Sequence, residues 1–128
     1  MILPVAFALL AAQGPTADCR DPQTQIEMNA CATLDFGQAD RALNAAWPRA
    51  IASARAADSE IDRSTDRRPT SEAKLREAQR AWIAFRDAHC TWQAYGEARG
   101  GSMEPASYDA CRATLTRERI RQLDGDGE

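Results

Sequence analysis

The sequence predicts an all-α fold, a small bundle of about four helices stapled by two disulfides. Three observations carry that expectation. Apolar residues recur at three- and four-residue spacing along most of the chain, and no run alternates with period two well enough to form a strand. Four cysteines, Cys19, Cys31, Cys90 and Cys111, occur without a Cys-x-x-Cys pair. At 128 residues there is room for one domain and not two.

The elements follow in order. Met1 to Ala12 is apolar and uncharged, but Gln13, Gly14 and Pro15 end it well short of the roughly 20 residues a membrane span needs. With small residues at Ala11, Ala12 and Ala17, residues 1–17 read as a secretory signal peptide and residues 18–128 as a single helical domain. No Leu-Ala-Gly-Cys-like run precedes Cys19, which argues against lipid attachment there. The expectation is a periplasmic or secreted protein, with no membrane insertion once the signal is cleaved.

Thr24-Gln25-Ile26-Glu27 has the form of a capping box and opens a first helix, with Met28, Cys31, Ala32 and Asp35 on one face. A second run, Ala39 to about Ala57, is rich in alanine, with a stripe through Leu43, Ala46 or Trp47, Ala50 or Ile51, and Ala54. Pro48 lies inside that run and predicts a kink or a new helix start. Asp58 to Arg68 mixes acids and arginines around one isoleucine and reads as a solvated link. Thr70-Ser71-Glu72 opens the strongest helix, whose predicted buried face is Leu75, Ala78 or Gln79, Trp82, Phe85, and Ala88 or His89. Ala98 to Ser102 is a loop, and Pro105 starts the last helix, with Tyr108, Cys111, Leu115 and Gln122 or Leu123 inside. The tail from Asp124 is expected to fray.

In an oxidising compartment an even cysteine count reads as two bridges. Cys90 and Cys111 stand almost equally far from Gly100-Gly101, so antiparallel flanking helices bring them level. Cys19 is close enough to the first helix to fold back onto Cys31. Of the three possible pairings, this geometry favours Cys19–Cys31 with Cys90–Cys111. The 16 basic and 19 acidic side chains leave a net charge of −3, which offers no basic face for a nucleic acid.

The segments TQIEMNACA (24–32), ADRALNAAW (39–47), AQRAWIAFRDAHC (78–90), GGSMEP (100–105) and CRATLTRER (111–119) resemble the LprI-like lysozyme inhibitor family, in the order that family shows. The resemblance spans nearly all of the chain after residue 17. It implies an exported bacterial helical domain, of a kind in which at least one member inhibits lysozyme.

No catalytic constellation is expected. His89 is the single histidine and has no serine or cysteine nucleophile placed to use it; Cys90 points about 100° away on a helix. With that one histidine and no paired cysteine motif, neither a metal site nor a cofactor site is predicted. Arg86 and Asp87 read as an ion pair on a helix surface. Glu72 and Glu77 do not share a helix face, as a glycosidase carboxylate pair would require. Gly100-Gly101 lacks the lysine and the preceding strand of a phosphate loop.

Trp82 and Phe85 fall on the predicted core stripe, while Trp92 is less committed. The candidate partner-binding residues are therefore Arg99, Gly100, Gly101, Ser102 and Glu104, in a glycine-rich turn with a disulfide at its base. Two readings of function remain. One is an inhibitor that occludes a lysozyme-like muramidase, as the resemblance implies. The other is a non-inhibitory envelope module that binds another protein or cell-wall material.

Overall fold

The computed structural model describes residues 18–125, so the signal-peptide reading of residues 1–17 lies outside the described residues, as does the end of the tail. Among the described residues there are three helices: α1, Gln25–Ser59; α2, Ser71–Ala98; and α3, Glu104–Asp124. The sequence predicts about four. What reads as two helices before residue 60 is one, and it passes through Pro48. Proline removes one amide donor and crowds the carbonyl four residues back. Here Pro48 is on the exposed side, where the Asn44 carbonyl can turn to solvent. Ala46, Ala50, Ile51 and Ala54 hold the opposite side in the core. Packing on both sides of the proline outweighs one lost hydrogen bond, and no new helix starts there.

Gly37 lies in the interior of the same helix. A methyl group there would come 3.6 Å from Arg41 Nη1, an ordinary contact. Gly37→Ala is therefore expected to raise stability by about 0.5–1 kcal/mol, by restricting the unfolded chain. A urea unfolding midpoint that stays put or falls would show that α1 needs the glycine.

The ends of the helices are set by local chemistry. The Glu27 amide donates to Thr24 Oγ1 at 3.2 Å and the Thr24 amide to Glu27 Oε2 at 3.0 Å, which completes the capping box. The amides of Gln23 and Thr24 hold the Glu27 carboxyl below its ordinary range. At α2 the Ala73 amide donates to Thr70 Oγ1 at 3.1 Å. Two more α2 amides are satisfied from a distance: those of Ser71 and Glu72 donate to the Asp58 carboxylate at 2.7 and 3.0 Å. Gly125, in the left-handed conformation at φ 85°, closes α3.

α3 is the central element. It packs along α1 over the longest interface and also against α2, whereas α1 and α2 touch least. The cross-links fix directions. Asn29 with Ser102, Thr33 with Asp109 and Arg49 with Asp124 make α1 and α3 parallel. Cys90 with Cys111 and Arg86 with Thr116 make α2 and α3 antiparallel. Both cysteine pairs lie at bonding distance in the expected combination, each with Cα atoms 5.5 Å apart.

The core is narrow. Ala39, Ala46, Ala50, Ala54, Ala94 and Ala113 are buried alongside Leu43, Ile51 and the Cys90–Cys111 bridge. Small side chains let the helix axes approach closely, but each buries little apolar area. Polar groups complete this interior: Arg86, Asp109 and Thr116 are buried as well.

Candidate functional site

Two surfaces and one internal network meet on α2. The network starts from Arg86, four residues after Trp82 and four before Cys90, so all three share one helix face. Its guanidinium carbon lies 5.3 Å from the centre of the Phe36 ring and 5.0 Å from that of Trp82. Nη1 donates to the buried Thr116 hydroxyl at 3.3 Å, and Nε donates to Asp87 Oδ1 at 2.9 Å. The ion pair expected between Arg86 and Asp87 is present, but Arg86 itself is inside. Its planar cation fills the gap between two rings, as a flexible ammonium would not.

A second arginine extends the network. Arg112 stands over Phe36 at 3.7 Å and over Tyr108 at 4.3 Å, and it pairs with Asp109. Asp109 in turn accepts from Thr33 Oγ1 at 2.7 Å. Arg119 lies over Trp82 at 5.9 Å and donates to Gln79 Oε1 at 2.9 Å; burial holds its pKa below the ordinary arginine value. The Phe36 ring thus meets two guanidinium groups, those of Arg86 and Arg112. At the surface, Arg117 pairs with Asp35 at 2.5 Å, and that hydrogen bond lowers the Asp35 carboxyl.

Because Arg86 takes the inward position, the inward line of α2 runs from half-buried Trp82 through buried Arg86, Cys90 and Ala94. Phe85 and His89 are turned away from it. Phe85, expected in the core, is 57 % exposed, and Trp92 is 70 % exposed. Their rings form a continuous ridge with His89. Phe85 and His89 stack at 5.3 Å between centroids, and His89 and Trp92 lie 5.5 Å apart at a tilt of 50°. Beside the ridge, an open groove between α2 and α3 is lined by His89, Gln93, Glu97, Ser107, Ala110 and Thr114.

The turn from Arg99 to Glu104 forms the tip of the α2–α3 hairpin. Gly100 adopts φ 74°, which suits glycine, and the Gly101 amide donates to the Ala98 carbonyl at 2.8 Å. The Glu104 carboxylate accepts from the Gly100 amide at 2.6 Å, so its charge braces the turn from within. Asn29 Nδ2 donates to the Ser102 carbonyl at 3.0 Å and ties the tip to α1. Arg99 lies over the Tyr95 ring at 4.6 Å. The structure therefore brings the five sequence-predicted residues together in one braced turn. The ridge on the flank of the same hairpin is what sequence reasoning missed. A signal was available: Phe85, His89 and Trp92 share a helix face at spacings of four and three, away from Cys90.

Among the described residues, no group of three or more His, Cys, Asp or Glu is arranged to hold a metal ion. Among the same residues, no helix is long and apolar enough to cross a membrane.

These features define a disulfide-stapled three-helix domain built on an arginine–aromatic core, with aromatic side chains displayed on one hairpin. The chain belongs to the lysozyme inhibitor LprI family, whose family model matches residues 17–123. It is also similar to a protein of Rhizobium meliloti (strain 1021) described as uncharacterized, with 40 % identity over 112 residues, covering 88 % of this chain and 80 % of the relative. No solved structure matches the chain.

Proposed function

We propose that the protein is exported to the periplasm or beyond and inhibits a lysozyme-type muramidase by occluding it. Membership of the lysozyme inhibitor LprI family over residues 17–123 carries this reading. The architecture suits the task. A stoichiometric inhibitor needs a rigid projecting element, because ordering a loose loop on binding costs affinity. The α2–α3 hairpin is such an element, closed by the Cys90–Cys111 bridge and tied to α1 through Asn29. The two cysteine pairs agree with an oxidising compartment.

At the tip, Arg99, Gly100, Gly101, Ser102 and Glu104 form part of the proposed contact. Arg99 is the residue there to vary, since its side chain leans on the exposed Tyr95 ring and braces no backbone. Glu104 is not, because removing its carboxylate also frees the Gly100 amide.

The oxidised domain is expected to abolish the activity of a susceptible muramidase at about equimolar ratio, without consuming cell-wall substrate itself. Turbidity clearance of bacterial cell walls, titrated against muramidases of several structural types at matched ionic strength, is the measurement. No inhibition of any type at micromolar excess would sink the proposal and leave a non-inhibitory envelope module.

A further inference from the structure

We infer that the Phe85–His89–Trp92 ridge of α2 is the surface that enters the muramidase's glycan-binding cleft, with the hairpin tip at the rim of the contact. This rests on the inhibitor reading and says which side chains perform it.

The shape argument comes from spacing. Positions 78, 81, 85, 88, 89, 92 and 96 fall on one side of a helix with a 3.6-residue repeat. Four of them, Ala78, Ala81, Ala88 and Gly96, are small and exposed. The three rings therefore stand above a smooth strip, along a span of about 27 Å from residue 78 to residue 96 at helical rise. A convex aromatic ridge on a flat helix face complements a long concave cleft better than it complements a second flat surface. Glycan-binding clefts accept the apolar faces of sugar rings, and flat aromatic side chains present the same kind of face.

The charge argument selects the same occupant. A muramidase cleft holds a pair of catalytic carboxyl groups that flank the scissile bond. A surface buried over them must bring no further carboxylate, since like charges in a desolvated site are strongly unfavourable. The chain has 19 acids against 16 bases, yet this strip carries none from Ala78 to Gly96. Acids on the neighbouring faces of α2 are engaged: Glu77, next to Ala78, accepts from Lys74 at 2.7 Å, Asp87 from Arg86, and Glu97 from Gln93 at 3.1 Å. The ionisable group in the strip is His89, whose imidazole adds no negative charge.

The test compares inhibition by the wild-type domain, Phe85→Ala, Trp92→Ala and Arg99→Ala, using a muramidase that the wild type inhibits. Competition by the trimer of N-acetylglucosamine is measured alongside. Trp92→Ala is expected to weaken inhibition roughly 30-fold, the loss typical of a buried aromatic hot spot, and Phe85→Ala to follow it. Arg99→Ala should weaken it less. Both ridge side chains are exposed, so circular dichroism and melting temperature should stay at the wild-type values, and the trimer should displace the domain from the enzyme.

If the ridge variants inhibit as well as the wild type, the ridge assignment is wrong and the inhibitor reading survives. If the wild type inhibits no muramidase, both fall. Trp92-dependent dimers in sedimentation would assign the ridge to a second copy of the chain. Direct binding of the trimer by the domain alone would assign it to a glycan. Either result overturns the inference.

Discussion

Arg86→Ala is expected to destabilise the domain by about 3 kcal/mol, a large fraction of the stability of a chain this size. Three effects combine. The Thr116 hydroxyl, fully buried, loses its charged donor, and a buried polar group left unpaired costs about 1–3 kcal/mol. The Phe36 and Trp82 rings lose a desolvated cation, at about 0.5–2 kcal/mol for a cation–π contact. The space vacated by the side chain lies where α1, α2 and α3 converge, so collapse cannot fill it without moving a helix. Because these terms share atoms they do not add fully. The expected fall in melting temperature is on the order of 10 °C.

Arg86→Lys and Arg86→Met separate the contributions. Lysine keeps the charge but not the planar stacking, and it should recover less than half of the loss. Methionine keeps apolar volume between the rings and leaves Thr116 unpaired. If Arg86→Ala melts within about 2 °C of the wild type, less than about 1 kcal/mol has been lost and the guanidinium does not hold the three helices together.

That arginine also shows where sequence reasoning stops. The helical character, the capping box at Thr24 and the cap at Thr70 are written in short segments, and each is present as read. The cysteine pairing was legible because Cys90 and Cys111 are placed symmetrically about Gly100-Gly101. Pro48 was misleading as a helix break because its effect depends on which side of α1 is buried, a tertiary matter. The rotation of α2 was hidden for a related reason. Periodicity ranks Phe85 as a better core residue than Arg86, and it takes the rings of Phe36 and Trp82 together with the Thr116 and Asp87 oxygens to make a buried guanidinium favourable.

Asp58 capping the start of α2 from 13 residues upstream had no local signature at all. The candidate site divides the same way. The tip residues Arg99 to Glu104 were visible as turn chemistry, while the ridge depended on knowing which face of α2 the core had taken.

The two disulfides are expected to differ in their contribution, although the loops they close, with sequence separations of 12 and 21, cost similar amounts to close. Loop-closure arithmetic gives about 3 kcal/mol for either, since the cost of closure grows only slowly with length. That arithmetic assumes that the native state loses nothing by being cross-linked. The assumption suits Cys90–Cys111: both residues are buried, their helices are fixed by Arg86 with Thr116, and the bridge constrains only the unfolded chain.

It suits Cys19–Cys31 less well. Cys19 is exposed, and its neighbours Arg20 and Gln23 bond to Asp18 and Glu27, residues close to them in sequence. Cutting that bridge gives freedom back to residues 19–23 in the folded protein too, so part of the loss cancels. The double variant Cys90→Ala/Cys111→Ala should therefore lose about 3 kcal/mol in urea unfolding, plus a smaller amount for the void left by two buried sulfurs. Cys19→Ala/Cys31→Ala should lose markedly less, with raised hydrogen exchange confined to the start of α1. Equal losses from the two variants would show that the segment around Cys19 unfolds together with the bundle, and that the Cys19–Cys31 bridge is as much a part of its cooperative core as Cys90–Cys111.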